Sequence, residues 1–129
     1  MGVSAGQIAF AEELFAGLGA RSRRMFGGAG LYAQGVMFAL IDDSEAIFLK
    51  ADAALAADLA AEGCAEWVYT YPSGPKAGQS ATMGYWSLPD AALDDPAVAC
   101  DWGRRALDVA LRADAAKPPK RRKATSSAP

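Results

Sequence analysis

From Met25 to Ile41 the chain runs seventeen residues without a charge, and glycine interrupts the run at Gly27, Gly28, Gly30 and Gly35. A membrane-spanning helix needs about 20 apolar residues, and each of those glycines costs about 1 kcal/mol in a helix interior. A pair of strands accounts for the run better. Ala33-Gln34-Gly35 and Asp42-Asp43-Ser44-Glu45 are connectors of hairpin length. Strands joined this tightly run antiparallel.

The remaining pattern alternates short β-favouring runs with helical spacing. Ser4 and Gln7 form a capping box ahead of Ile8, Ala11, Leu14, Phe15 and Leu18, with Gly19 as the stop. Strands are expected over Arg24–Tyr32, Gly35–Ile41, Ala46–Lys50, Glu66–Tyr71 and Thr82–Leu88. Asp52 caps a second helix that ends at Gly63. Asp95 caps a third, with Pro96 at its first position and Val98, Trp102, Ala106 and Val109 as its apolar stripe. On its wet side, Asp101 with Arg105 and Asp108 with Arg112 are spaced to pair. The order α-β-β-β-α-β-β-α predicts a two-layer α+β domain, a five-stranded antiparallel sheet with helices on one face. Phe38, Phe48, Trp67, Tyr69, Tyr71, Tyr85 and Trp86 cannot all point inward, so part of this surface is expected to pair in a homodimer.

Charge divides the chain. Residues 1–116 carry 8 basic and 15 acidic side chains, whereas Lys117, Lys120, Arg121, Arg122 and Lys123 are five positive charges with no negative among them. The expected domain is 1–116, followed by a disordered basic tail over 117–129. That tail is a candidate for weak, salt-sensitive nucleic-acid contact, opposed by the acidic body.

Histidine is absent, so neither a Ser-His-Asp nor a Cys-His machinery can be assembled. A histidine-bearing zinc site and a four-thiolate one are excluded on the same inventory, since the two cysteines, Cys64 and Cys100, stand alone. Two cysteines without a framework and a first twenty residues free of Lys and Arg lead to the expectation of a cytoplasmic protein with no secretory signal. Gly28-Ala29-Gly30-Leu31-Tyr32-Ala33 fits a dinucleotide fingerprint in letters only, because Ser22-Arg23-Arg24 before it is a poor strand interior and Gly35 stops any helix after it. Ser73-Gly74-Pro75-Lys76 fits a serine–lysine motif, but Gly74 and Pro75 forbid the helix that chemistry needs. Arg21, Arg23 and Arg24 beside the glycines form a candidate anion cradle, or simply a solvated basic edge. Glu62 and Glu66 beside Cys64 oppose an activated thiol. No catalytic residue, metal site or cofactor is assigned.

Arg24-Met25-Phe26-Gly27-Gly28, Gly30-Leu31-Tyr32, the run Gly35 to Ile41, Phe48-Leu49-Lys50 and Met83-Gly84-Tyr85-Trp86 leading to Pro89 resemble the TfoX (Sxy) N-terminal domain family over about residues 12–112. The resemblance implies an α+β sheet domain in bacterial, cytoplasmic proteins tied to competence-gene regulation, working with transcription-related protein partners. It implies no catalytic residues. Arg24, Phe26, Gly27, Gly28, Tyr32, Tyr85 and Trp86 match the family pattern and become the candidate interaction residues. Two departures stand out. Gly84 replaces a frequent Ser, and the basic segment stands where full-length regulators continue into a helical domain, which weakens the implication of a direct promoter role. The expected function is a non-enzymatic regulatory domain that works by protein contact. A nucleic-acid-binding tail and a small-ligand site near Gly27–Gly30 and Tyr85/Trp86 are the alternatives.

Overall fold

The structure is a computed structural model that describes residues 2–25 and 27–117. Helix α1 spans Ala5–Leu14. The Ser4 hydroxyl caps it, accepting from the Gln7 N–H at 3.1 Å, as the capping-box spacing dictates. A 3-10 turn at Ala16–Leu18 follows and stops at Gly19, which sits in the left-handed region. Helix α2, Ala53–Ala61, starts where the Asp52 carboxylate accepts from Leu55 N–H at 2.9 Å. Helix α3, Pro96–Ala116, starts on Asp95, which accepts from Ala97 and Val98.

The sheet has six strands, not five: β1 Arg21–Met25, β2 Gly28–Ala33, β3 Val36–Ile41, β4 Ile47–Lys50, β5 Glu66–Thr70 and β6 Ser80–Ser87, in spatial order β1-β2-β3-β4-β6-β5 and antiparallel throughout. Element order is therefore α-β-β-β-β-α-β-β-α. The stretch expected as one irregular strand folds back on itself at Gly27 (φ 79°), and Arg21–Met25 pairs along β2 from Arg21↔Tyr32 to Met25↔Gly28. Polar residues suit β1 because it is an edge. One flank is wet, and the Glu12 carboxylate of α1 accepts from Ser22 N–H (3.0 Å) and Ser22 Oγ–H (2.6 Å).

Strand alternation sorts the aromatic residues. Leu31, Ala39, Ile41, Ile47 and Leu49 join Leu14, Leu55, Leu59, Ala106 and Leu107 of the helices in one core. Between Leu31↔Ala39 and Tyr32↔Met37 the register slips by one residue, so Phe38 is an extra residue in β3. Such a bulge turns two successive side chains to one side. Phe38 and Ala39 are both fully buried, and Phe38 meets Phe15 edge-on at 5.5 Å. Trp86 packs against this core as well.

The far end of the sheet does not stay flat. Between Glu66↔Trp86 and Val68↔Thr82, β6 spends three residues where β5 spends one. Gly84 takes up this slack at φ 77°, which a side chain rarely tolerates. The β5–β6 hairpin thereby bends over the sheet face turned away from the helices. In a flat sheet β5 would lie roughly 19 Å from β2. Here Trp67–Thr70 share one cavity with Met25, Gly28 and Leu40.

On the wet side of α3, Arg112 pairs with Asp108 (3.0 Å) as its spacing predicts, and reaches Asp52 of α2 at 3.3 Å. Arg105 does not take Asp101. It reaches Asp58 of α2 at 2.7 Å, and Asp101 pairs with Arg104.

Candidate functional site

The six candidate interaction residues that the structure describes do not form one patch. Alternation in β1 turns Ser22 and Arg24 toward the α1 side, where Arg24 Nη1–H donates to the Val3 carbonyl at 3.0 Å. Arg23 pairs with Gly30 and sits on the opposite face with Arg21 and Met25. The three arginines are thus split, and no common anion cradle forms. Gly27 is the exposed turn residue, and its carbonyl accepts from Val3 N–H at 2.8 Å. Gly28 is buried, because a Cβ there would collide with the Ile41 carbonyl. Trp86 belongs to the helix-side core. Phe26 lies outside the described residues, as do Lys120, Arg121, Arg122 and Lys123 of the basic segment. Lys117 closes α3 and lies 3.8 Å from Asp114.

Tyr32 and Tyr85 do share the second face. A side chain at Gly30 would meet Met37 Sδ (2.5 Å), Tyr32 Cε1 (3.0 Å) and Met25 Cε (3.1 Å), so these residues flank Gly30 there. Leu40, opposite Gly30, and Phe48, opposite Leu40, continue the row. Sequence patterning did not single out Trp67 and Tyr69 as site residues, yet they dominate this face. The signal was present in the alternation Trp67, Tyr69, Tyr71 along β5. Trp67 touches Phe48 (6.1 Å), Tyr69 (5.7 Å) and Tyr85 (6.4 Å, edge-on), and Tyr69 stacks edge-on with Tyr71 at 5.1 Å. Lys50 Nζ lies 5.3 Å from the Tyr85 ring centroid, a cation–π approach. The surplus of strand aromatics is therefore met in good part inside the chain. The bent hairpin lays its rings over Leu40 and Tyr85, which are only 7% and 6% exposed.

Burial pushes the Tyr85 phenol up to about 12, with Tyr32 adding to the shift. Its folded value exceeds its ordinary 10.0, so the neutral form is the one the fold prefers. The stability this confers is complete below pH 10 and is lost as pH rises toward 12, up to about 2–3 kcal/mol. Urea titrations at pH 9 and pH 11.5 should show this loss, and Tyr85→Phe should remove most of it. An equal loss in the variant would place the alkaline sensitivity elsewhere.

The Cys64 thiol is not activated. Burial raises the Cys64 pKa, with Glu62 and Asp90 adding to it against a hydrogen bond with Ser87. Cys100 is buried, and its Sγ–H points at the Leu14 carbonyl at 3.6 Å. Among the described residues no group of three His, Cys, Asp or Glu is placed to hold a metal, and no helix is long and apolar enough to cross a membrane.

Among the described residues four large apolar side chains are exposed: Phe10, Leu93, Val68 and Met83. The first two border a shallow cavity between α1 and the start of α3, and the last two sit on the β5–β6 hairpin, Val68 at 54% exposure. The two sheet edges also differ. β1 carries Arg21, Arg23 and Arg24, whereas the sole charge of β5 is Glu66. Compared with known proteins, residues 13–110 of this chain match the family model of the TfoX N-terminal domain. No curated protein matches the chain.

Proposed function

We propose, because the chain belongs to the TfoX N-terminal domain family, that it is a non-enzymatic regulatory domain that acts by protein contact through its β5–β6 hairpin. The observation that carries this reading is the contrast between the two sheet edges. Natural sheets blunt free edges with charge. β1 is blunted by three arginines, while β5 presents Trp67-Val68-Tyr69-Thr70 beside the exposed Met83. An edge whose sole charge is Glu66, with an exposed Val, suits pairing with a second copy in a two-fold dimer. Its regulatory output, in competence or other transcription, passes through protein partners. Catalysis is no part of this proposal, since the sequence holds no histidine to activate a nucleophile.

Sedimentation of the full chain tests this. The expected result is a dimer at tens of micromolar that Val68→Lys converts to a monomer with an unchanged circular dichroism spectrum. A monomeric wild-type chain at high micromolar concentration would overturn the hairpin interface.

A further inference from the structure

The cavity under the bent hairpin is lined on one side by the run Trp67 to Thr70, on the other by Met25 and Leu40, and also by Asp42 and the exposed Asp43. Its volume is about 280 Å³, at the small end of ligand pockets. Every charged residue among its lining groups is acidic. Asp42 spends Oδ1 on the turn, accepting from Ser44 N–H, Ser44 Oγ–H and Ala46 N–H, while its Oδ2 accepts no hydrogen bond among the described residues. Asp43 is exposed and has no hydrogen bond or ion pair among the described residues. Trp67 is fixed in place by its contacts with Phe48, Tyr69 and Tyr85.

An apolar floor, a preoriented indole and phenol wall, and two carboxylates with unspent oxygens together select one chemistry. An anion is repelled by the carboxylates. A neutral apolar ligand gains nothing from them. A compact alkylated ammonium gains from both parts, the ring quadrupoles and the carboxylates. We infer that this cavity is a binding site for a small alkylammonium cation, with Trp67 and Tyr69 as the aromatic wall and Asp43 as the counter-charge. The site does not rest on the hairpin's role as a dimer contact.

Calorimetric titration of the full chain with choline, and with its neutral isostere 3,3-dimethylbutan-1-ol, decides the matter. Choline should bind saturably, and the isostere about tenfold more weakly or worse, the factor that 1.4 kcal/mol represents. Asp43→Asn, a surface change that leaves the fold intact, should weaken choline several-fold and leave the isostere unaffected. Trp67→Ala should abolish saturation, and Tyr69→Leu serves if that variant does not fold. Equal binding of the two compounds, no saturation with choline, or an Asp43→Asn variant indistinguishable from wild type would each overturn the assignment.

Discussion

Gly28→Ala should be the most damaging single methyl that can be added to this domain, costing about 3 kcal/mol or more. The added Cβ would fall on the Ile41 carbonyl, with the Ile41 carbonyl carbon and Asp42 Cα only 3.1 and 3.2 Å away. All three are backbone atoms, so no rotamer change relieves the clash. The β2–β3 ladder itself must move, and it supports the centre of the sheet. Against a total stability of about 5–15 kcal/mol for a domain of this kind, such a loss is a large share. Gly6→Ala is the matched control. It lies within α1 with nothing within 4 Å of the added Cβ, and should stabilise by about 0.5–1 kcal/mol. Urea denaturation of the two variants reads both signs. A Gly28→Ala midpoint equal to wild type would mean that β2 and β3 do not approach as described.

Phe38→Ala should cost about 3–5 kcal/mol. Phe38 is the extra residue of the β3 bulge, fully buried and edge-on to Phe15. Removing it empties the point where α1, α3 and the centre of the sheet converge. Phe15→Ala should cost a similar amount, and the double variant less than the two together, by about 0.5–1.5 kcal/mol of ring–ring coupling. Additive losses would show that the two rings do not support each other.

Much of this fold was legible because its local signals agree. Ser4, Asp52 and Asp95 cap the helices their spacing promised, and the Asp42–Glu45 connector forms the expected hairpin turn. The missed strand was hidden by its polarity. Arg-Ser-Arg-Arg reads as a linker until its place at a sheet edge is known, and that place depends on where the other strands pair. The Arg105–Asp58 pair was invisible for a related reason, since helical spacing describes neighbours on one helix and α2 is a partner from elsewhere. The candidate site was read least well. Choosing Arg24, Gly27, Gly28 and Trp86 by motif mixed residues of both faces with a turn. The alternation Trp67, Tyr69, Tyr71 marked the aromatic face, but the bend of the hairpin over it rests on Gly84, whose left-handed backbone has no signature in the sequence beyond the glycine itself.

The family match begins at residue 13, yet the first dozen residues are tied into the domain. Val3 N–H holds the β1–β2 turn at Gly27, the Val3 carbonyl accepts from Arg24, Ser4 N–H donates to the Glu45 carboxylate, Gln7 donates to the Glu45 carbonyl, and Glu12 holds Ser22. These contacts act as a clasp that pins both hairpin turns at one end of the sheet. Anyone trimming the protein to its homologous span would cut that clasp away and leave β1 to peel from the edge.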